Sequence, residues 1–224
     1  MRLEEEIKKS FPNYKDLADC CFNRRYDLWG RPMYQGNPVF VRLKEKYGQN
    51  NSKVTTRSQI IELFKKGEYY DGYLCTLVWG NIGTYKNGRK KFNNAFSISE
   101  KDCKTKIGNV KLMISDDNIA GAFNSMCSKG NNYIPGLGVS FFTKILYFVG
   151  ASLDNGSTPL IFDTKSLKVL TRIYKDENIQ RPVRQTTRCY LDFCQKMNSI
   201  ANELELPTPG HLEAFLFNCG DSLY

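Results

Sequence analysis

The chain has 224 residues, of which 41% are hydrophobic and 25% charged, a composition that excludes an intrinsically disordered chain. It carries 32 lysines and arginines against 23 acidic residues, a formal net charge of +9. The last 24 residues contain four acids and no lysine or arginine, so the first 200 carry +13. This excess favours a polyanionic partner, nucleic acid first, and the alternative is a soluble protein that is merely basic.

The N-terminus lacks the apolar segment of a secretory signal, and no apolar run reaches the roughly 18 residues that a membrane span needs. We therefore expect a cytoplasmic protein that does not bind membranes. The eight cysteines are scattered without a CxxC pair, and His211 is the only histidine. The sequence accordingly predicts no zinc site and no iron–sulfur site.

The first half of the chain predicts helices and one basic loop. Residues 55–66 have apolar positions at helical spacing, and residues 69–79 are nearly all apolar, as in a buried helix. Three glycines and four bases predict a flexible, positively charged loop over residues 80–91. Segment 108–114 is the best candidate for a strand. The bases of the loop are Lys86, Arg89, Lys90 and Lys91.

The middle of the chain predicts two helices separated by a tight turn. Residues 115–117 (Ser-Asp-Asp) predict a capped helix start with acids in its first turn. A turn follows at residues 133–138, and residues 139–151 predict an amphipathic helix. On that helix Ser140, Lys144 and Tyr147 form a stripe opposite the apolar face.

The last third of the chain also predicts helices. One helix begins after Pro159-Leu-Ile-Phe-Asp, with Asp163 or Thr164 as its cap. A long amphipathic helix is predicted over residues 184–206, ended by Pro207, and a short one over residues 211–217.

The most informative segment is Gly136-Leu137-Gly138, just before the helix that begins at Val139. The glycines permit a sharp turn and close approach of another backbone. The start of the helix offers unpaired N–H groups and the positive end of the helix dipole. Together they predict a small anion site suited to a DNA phosphate.

The apolar–Pro–Gly–apolar–Gly pattern resembles the helix-hairpin-helix motif. PGLGVSFFTKILYFVG and PLIFDTKSLKVL together resemble the helix-hairpin-helix DNA glycosylases, and more narrowly bacterial proteins with the 8-oxoguanine DNA glycosylase (OGG) fold. The resemblance covers about residues 130–170, which would hold the hairpin and the catalytic segment. It implies an all-α fold in which two helical subdomains surround a cleft. Residues 1–224 would form a single glycosylase-like domain. It also implies that the partner is double-stranded DNA with a modified base, and no obligate protein partner is evident.

The resemblance implies a catalytic role for Asp163. Cleavage of a glycosidic bond develops positive charge on the sugar, and a carboxylate held nearby stabilises it or activates water. The alternative role for this residue is that of a plain helix N-cap. The hairpin residues implied to hold the DNA backbone are Gly136, Leu137, Gly138, Val139 and Ser140.

Ser140 occupies the position at which bifunctional relatives carry a lysine that forms a Schiff base with the sugar. Serine has no amine, which predicts a monofunctional enzyme that does not cleave the strand. Lys144 lies one turn later and is the second candidate catalytic residue. It is predicted to reach Asp163, a phosphate or the flipped base, and the alternative is a solvated lysine. Phe142 is bulky where a hairpin carries a small residue, which predicts altered packing of the two hairpin helices.

Residues around the basic loop are further candidates for DNA contacts. Asn81 is a candidate wedge that fills the gap left by a flipped base, and Trp79 either stacks on a base or packs in the core. The four basic side chains of the loop either bind DNA phosphates or only keep the loop soluble.

The resemblance thus implies a monofunctional DNA glycosylase. Such an enzyme is expected to need no metal or organic cofactor, because binding energy, base flipping and electrostatics can supply the catalysis. Its favoured substrate is a bulky modified phage base, glucosylated hydroxymethylcytosine, removed in anti-phage defence, because a branch of these OGG-fold proteins resembles phage-defence factors. One alternative is excision of 8-oxoguanine in repair. Alternatives of another class are a non-catalytic helix-hairpin-helix DNA-binding module and an RNA-binding or interaction protein.

Overall fold

A computed structural model describes residues 38–47, 56–80, 93–153, 158–174 and 186–219. Within these ranges the chain forms nine helices of eight residues or more and no strand, which confirms the predicted all-α fold. The helices are α1 (Pro38–Tyr47), α2 (Arg57–Lys65), α3 (Tyr69–Trp79), α4 (Glu100–Ser115), α5 (Ile119–Met126), α6 (Val139–Ala151), α7 (Thr164–Tyr174), α8 (Thr187–Glu203) and α9 (Pro209–Cys219). None of these helices is long and apolar enough to cross a bilayer.

The predicted strand at 108–114 is wrong, because this segment is the second half of α4. Ser99 caps the start of that helix by accepting a hydrogen bond from the Asp102 amide. The buried positions recur at three- and four-residue intervals, which is the period of a helix packed on one face. They are Cys103, Ile107, Val110 and Ile114.

The predicted helix start at residues 115–117 is also wrong. Ser115 ends α4, Asp116 is its C-cap, and Asp117 has a positive φ of 56°. The next helix is capped by Asn118, whose side chain accepts from the Gly121 amide. The acids therefore lie between two helices rather than in the first turn of the second.

The helices predicted at residues 69–79 and 139–151 have the observed bounds, and α2, α8 and α9 differ from prediction by a few residues at their ends. Helix α2 begins with a capping box between Thr56 and Gln59. Helix α8 begins after Thr186, three residues later than predicted, and ends at Glu203 before a turn in which Glu205 has a φ of 51°.

Helix α6 lies at the centre of the fold, where it packs against α2, α3, α4 and α5. Most of its residues are buried, and the buried apolar residues between Leu43 and Leu216 form one connected cluster. Phe142 meets Phe123 of α5 edge to face, with ring centroids 5.0 Å apart. This aromatic pair fills the contact between the two helices that flank the predicted hairpin.

A buried ion pair joins the first and last parts of this core. Arg57 of α2 donates to Glu213 of α9 at 2.8 Å, and both side chains are almost completely buried. The guanidinium lies 5.1 Å from the ring centroids of both Trp79 and Tyr147. A buried charge needs such a partner, because desolvation otherwise destabilises the folded state.

Replacing Glu213 with alanine should destabilise the protein by about 3–5 kcal/mol, because the Arg57 guanidinium stays buried without a counter-charge. The double variant Arg57→Met/Glu213→Leu removes both charges, and its free energy of unfolding should fall much less. The free energy of unfolding in urea measures both effects.

The control for that experiment is Glu62→Ala. Glu62 forms an exposed ion pair with Lys66 on α2, and loss of such a pair typically costs no more than about 0.5 kcal/mol. Equally small decreases in the free energy of unfolding in Glu62→Ala and Glu213→Ala would show that the buried ion pair is not important for stability.

Candidate active site

The turn before α6 is built by Pro135 and Gly136. The Leu137 amide donates to the Ile134 carbonyl at 3.3 Å, and Gly136 has a φ of 91°. Proline at the second position and a glycine with positive φ at the third are typical of a type II turn. Leu137 is buried and anchors the turn to the core.

The longer connection between α5 and α6 is held by Asn132, which is buried. Its amide N–H donates to the Ser125 carbonyl at 2.9 Å, and its side chain donates to the Ser125 hydroxyl at 3.1 Å. Asn109 of α4 donates to the Asn132 side-chain oxygen at 3.2 Å. These bonds give the hairpin a defined position on the core.

Gly138 is the N-cap of α6 and has no side chain to cap it. Its φ of −87° is open to any residue, and a Cβ built on it would meet nothing within 4 Å. Neither the backbone nor the packing within the described residues therefore requires glycine here. The residue is exposed and leaves the N-terminus of a 13-residue helix accessible to an anion.

Asp163 lies between the start of α7 and the first two turns of α6. Its Oδ1 accepts from the Lys165 amide at 2.9 Å and its carbonyl accepts from the Leu167 amide, so Asp163 caps α7. Its Oδ2 accepts from the Ser140 hydroxyl at 2.6 Å. The side chain keeps 19% of its accessible surface, so the carboxylate remains open to a ligand.

Lys144 is buried, with only 3% of its surface exposed, which contradicts the alternative of a solvated lysine. Side chains on a helix point toward its N-terminus, so Lys144 reaches back over the preceding turn. Its Nζ lies 2.9 Å from the Ser140 carbonyl, 3.0 Å from the Ser140 hydroxyl and 3.3 Å from Asp163 Oδ2. The predicted contact of Lys144 with Asp163 is therefore present in the structure.

The pKa values of the pair follow from this environment. Burial raises the pKa of Asp163, but the charge of Lys144 and the hydrogen bonds from Ser140, Lys165 and Lys144 together lower it below its ordinary value. Burial lowers the pKa of Lys144, against the opposing effect of Asp163 and Glu213. Asp163 is therefore an ionised, partly exposed carboxylate at neutral pH.

Comparison with known proteins identifies the family. A family model described as "Putative 8-oxoguanine DNA glycosylase OGG-like protein" matches residues 25–217. The chain belongs to this OGG-like family. No curated protein and no solved structure matches the chain. Family membership supports DNA glycosylase activity in general, with DNA as the substrate.

Trp79 of the OGG-like protein lies in the core rather than in an open cleft. The side chain is buried, and its ring meets Phe148 edge to face at 5.2 Å. This placement favours core packing over stacking on a base. Asn81 and the four bases Lys86, Arg89, Lys90 and Lys91 lie outside the described residues, so their predicted DNA contacts stay predictions.

Three residues next to the site are not predicted by the sequence patterns. Gly80 ends α3 against α6, and a Cβ on it would lie 2.8 Å from Phe141 and 3.1 Å from the Lys144 stem. Arg57 and Glu213 were missed as well. An acidic residue inside the apolar run LEAFLF was the available signal for Glu213. No three His, Cys, Asp or Glu side chains in the described residues are grouped to hold a metal ion.

Lys144→Met should raise the pKa of Asp163, because the neighbouring positive charge is lost while burial remains. Ser140→Ala removes one hydrogen bond to Asp163 and should raise the pKa of Asp163 by a smaller amount. A carbon-detected NMR titration of the carboxyl groups measures both shifts. Because the folded pKa of Asp163 is depressed, its stabilising contribution is present above the ordinary pKa and is lost as the pH falls through the folded value. An unchanged Asp163 pKa in Lys144→Met would contradict the assigned pair.

Proposed function

We propose that this OGG-like protein is a monofunctional DNA glycosylase that flips out and excises a modified base and leaves an abasic site. The observation that carries the proposal is the Asp163 carboxylate, ionised and partly exposed beside the hairpin. The family match supports the same class of activity.

The proposed role of Asp163 is to stabilise positive charge on the sugar. Breaking the glycosidic bond gives an oxocarbenium-like transition state, and a preorganised carboxylate stabilises that charge without reorganising. Ser140 and the Lys165 amide hold the carboxylate in one orientation. Its exposed side leaves room for the sugar and for an attacking water.

The proposed role of Lys144 is to hold Asp163, not to attack the sugar. An ammonium group has three N–H donors, and Lys144 Nζ has three acceptors within 3.3 Å, two on Ser140 and one on Asp163. This arrangement satisfies the protonated amine and leaves no lone pair for an imine. The absence of a lysine at Ser140 supports the same proposal of an enzyme without lyase activity.

The hairpin is proposed to bind a phosphate of the DNA backbone. The exposed Gly138 and the free first turn of α6 suit an anion, and the net positive charge of the chain favours DNA. Binding at this point would bring the sugar of a nearby flipped nucleotide toward Asp163.

The proposed substrate is a bulky modified phage base, glucosylated hydroxymethylcytosine, excised in anti-phage defence. Support comes from the resemblance to phage-defence proteins and from Ser140, which fits an enzyme that leaves abasic sites. The second candidate, 8-oxoguanine, is favoured by the family description. A panel of duplexes carrying either base, followed by detection of abasic sites, separates the two substrates.

Gly138→Ala and Gly138→Val should weaken DNA binding in order of side-chain size while the protein stays folded. The melting temperature should fall only slightly, because alanine and valine are poorer N-caps than glycine. The backbone angles and the open space at Gly138 accept a Cβ, whereas a phosphate close to the backbone does not. We expect a loss of roughly tenfold for valine, about the value of one charge-assisted hydrogen bond. Fluorescence anisotropy with a labelled duplex measures the affinity.

The control for the hairpin series is Gly108→Ala in the middle of α4, where the nearest atom to a new Cβ is 3.9 Å away. It should leave the DNA affinity unchanged and raise the free energy of unfolding by about 0.5–1 kcal/mol, because alanine is the better residue in a helix interior. Wild-type DNA affinity in a folded Gly138→Val variant would remove the hairpin from the binding site.

Asp163→Asn should abolish excision while DNA binding is kept or strengthened. Asparagine keeps the size and the oxygen that caps α7 but lacks the charge that stabilises an oxocarbenium ion. Loss of one such group lowers rates by roughly a hundred- to a thousandfold. Single-turnover release of the base from the duplex panel measures the effect, and borohydride should trap no covalent adduct with the wild type.

The melting temperature has to be measured alongside, because Asp163→Asn leaves Lys144 buried without its carboxylate. The double variant Asp163→Asn/Lys144→Met removes both charges and should be equally inactive but better folded. Near-normal excision by folded Asp163→Asn would leave a helix cap and a DNA-binding module as the better interpretation. A trapped adduct that disappears in Lys144→Met would overturn the monofunctional assignment.

A further inference from the structure

The buried ion pair of Arg57 and Glu213 lies close to Lys144. The guanidinium of the pair lies 5.1 Å from the ring centroids of both Trp79 and Tyr147. Tyr147 follows Lys144 by three residues on α6, and side chains at that spacing share one face of a helix. A Cβ on the residue after Trp79 would lie 3.1 Å from the Lys144 stem. The same two aromatic positions therefore border both the ion pair and the lysine.

Stability alone does not account for this ion pair. One hydrogen bond of 2.8 Å joins the two side chains. The second carboxylate oxygen, Glu213 Oε1, has no hydrogen-bond partner among the described residues, and neither have Arg57 Nε and Nη1. Arginine and a carboxylate frequently form two parallel hydrogen bonds where the pair is a strong one. Well-packed apolar residues of similar volume are often at least as stabilising as a buried ion pair. The presence of both charges therefore calls for a further role.

The charges that act on the Lys144 ammonium group come from three elements. Asp163 before α7 and Glu213 on α9 raise the pKa of Lys144, whereas burial and Arg57 on α2 lower it. Helix α5 contains no charged residue. The buried face of α4 consists of Cys103, Ile107, Val110 and Ile114. Burial raises the pKa of the Cys103 thiol to about 12, so this group stays neutral.

Further ionisable side chains on the elements around α6 contact other partners. The pairs are Asp71 with Lys46, Lys165 with the ring of Phe217, His211 with the Thr208 hydroxyl, and Glu62 with Lys66. The charge state of Lys144 therefore depends chiefly on the carboxylate that it holds and on the buried ion pair.

We propose that Glu213 is a positioning residue of the active site: it keeps Lys144 charged and, through the lysine, holds the Asp163 carboxylate in its orientation for catalysis. Arg57 opposes Glu213 and limits this effect. The inference rests on the proposed glycosylase function. With 1% of its surface exposed, Glu213 is too deeply buried to contact the substrate itself. A neutral Lys144 would carry a lone pair in place of one N–H donor and would lose its charge attraction to Asp163.

The first experiment measures the charge state of Lys144 directly. Glu213→Gln keeps the size of the side chain and removes its charge, so the pKa of Lys144 should fall. At an effective dielectric constant of about 20, one charge about 10 Å away changes a pKa by roughly one unit, and we expect a shift of this size. Arg57→Met removes the opposing charge and should raise the pKa of Lys144. A pH titration of the lysine side-chain NMR signals measures both shifts, with the Lys144 signal assigned by its loss in Lys144→Met.

The opposite signs of the two shifts separate an electrostatic role from structural damage. Both variants break the same ion pair, so damage to the fold would change the pKa of Lys144 in the same direction in both. The double variant Arg57→Met/Glu213→Leu removes both charges and should return the pKa close to its wild-type value. If Glu213→Gln is too unstable to titrate, Arg57→Met decides the question, and an unchanged or lowered pKa of Lys144 in that variant would overturn the proposal.

The matched control is Glu62→Gln, which makes the same chemical change in the exposed ion pair with Lys66 on α2. It should leave both the pKa of Lys144 and the rate of excision unchanged. Shifts of the same sign in Glu213→Gln and Arg57→Met, or no shift in either, would overturn the proposal.

The second experiment follows single-turnover excision across the alkaline range on the duplex panel. Wild-type excision should fall as the pH rises through the pKa of Lys144, and in Glu213→Gln the fall should begin about one pH unit lower. The DNA affinity should not change. If the pKa values shift as expected but no duplex loses a base, the glycosylase function fails and the electrostatic assignment stands. If Glu213→Gln keeps the wild-type pH profile of excision despite its lowered Lys144 pKa, the positioning role fails and the glycosylase function stands.

Discussion

The buried ammonium group of Lys144 is the constraint on which the arrangement around α6 depends. A charge in the interior must have an opposite charge within hydrogen-bond reach, and Asp163 supplies it at 3.3 Å. The same carboxylate accepts a hydrogen bond from the Lys165 amide, so the start of α7 lies next to the Lys144 ammonium group. Thr143 strengthens this attachment through the Phe162 amide. The need to neutralise the buried Lys144 charge therefore also determines where the candidate catalytic carboxylate of Asp163 lies.

A second buried ion pair, Arg57 with Glu213, acts on the same lysine. Arg57 and Glu213 are 156 residues apart in the chain, and their ion pair at 2.8 Å connects α2 with α9. Both residues influence the pKa of Lys144, and Glu213 opposes the lowering that burial and Arg57 cause. The four charges sum to zero, with each positive group next to a negative one. Variants within such a network should not be additive, because removal of one charge leaves its neighbours unbalanced.

Helix α6 carries the residues of the candidate site in order along its axis. The hairpin precedes its N-terminus, Ser140 and Lys144 follow in its first two turns, and Tyr147 lies beside the Arg57 guanidinium in the next turn. Because one helix, packed on four others, carries all of these residues, their separations do not depend on the loops.

The sequence by itself determined the helices with a strong period and the turn at Pro135 and Gly136, because these signals are local. The candidate role of Asp163 came from the resemblance to the glycosylases, since its local signal is that of a helix cap. It was misleading at 108–114, where local preference suggested a strand and the buried face of α4 required a helix. Only the tertiary structure decided that Lys144 is buried against Asp163 and that Arg57 meets Glu213. These contacts join residues far apart in the chain, and a local pattern does not specify which distant charges or amides will meet when the helices pack.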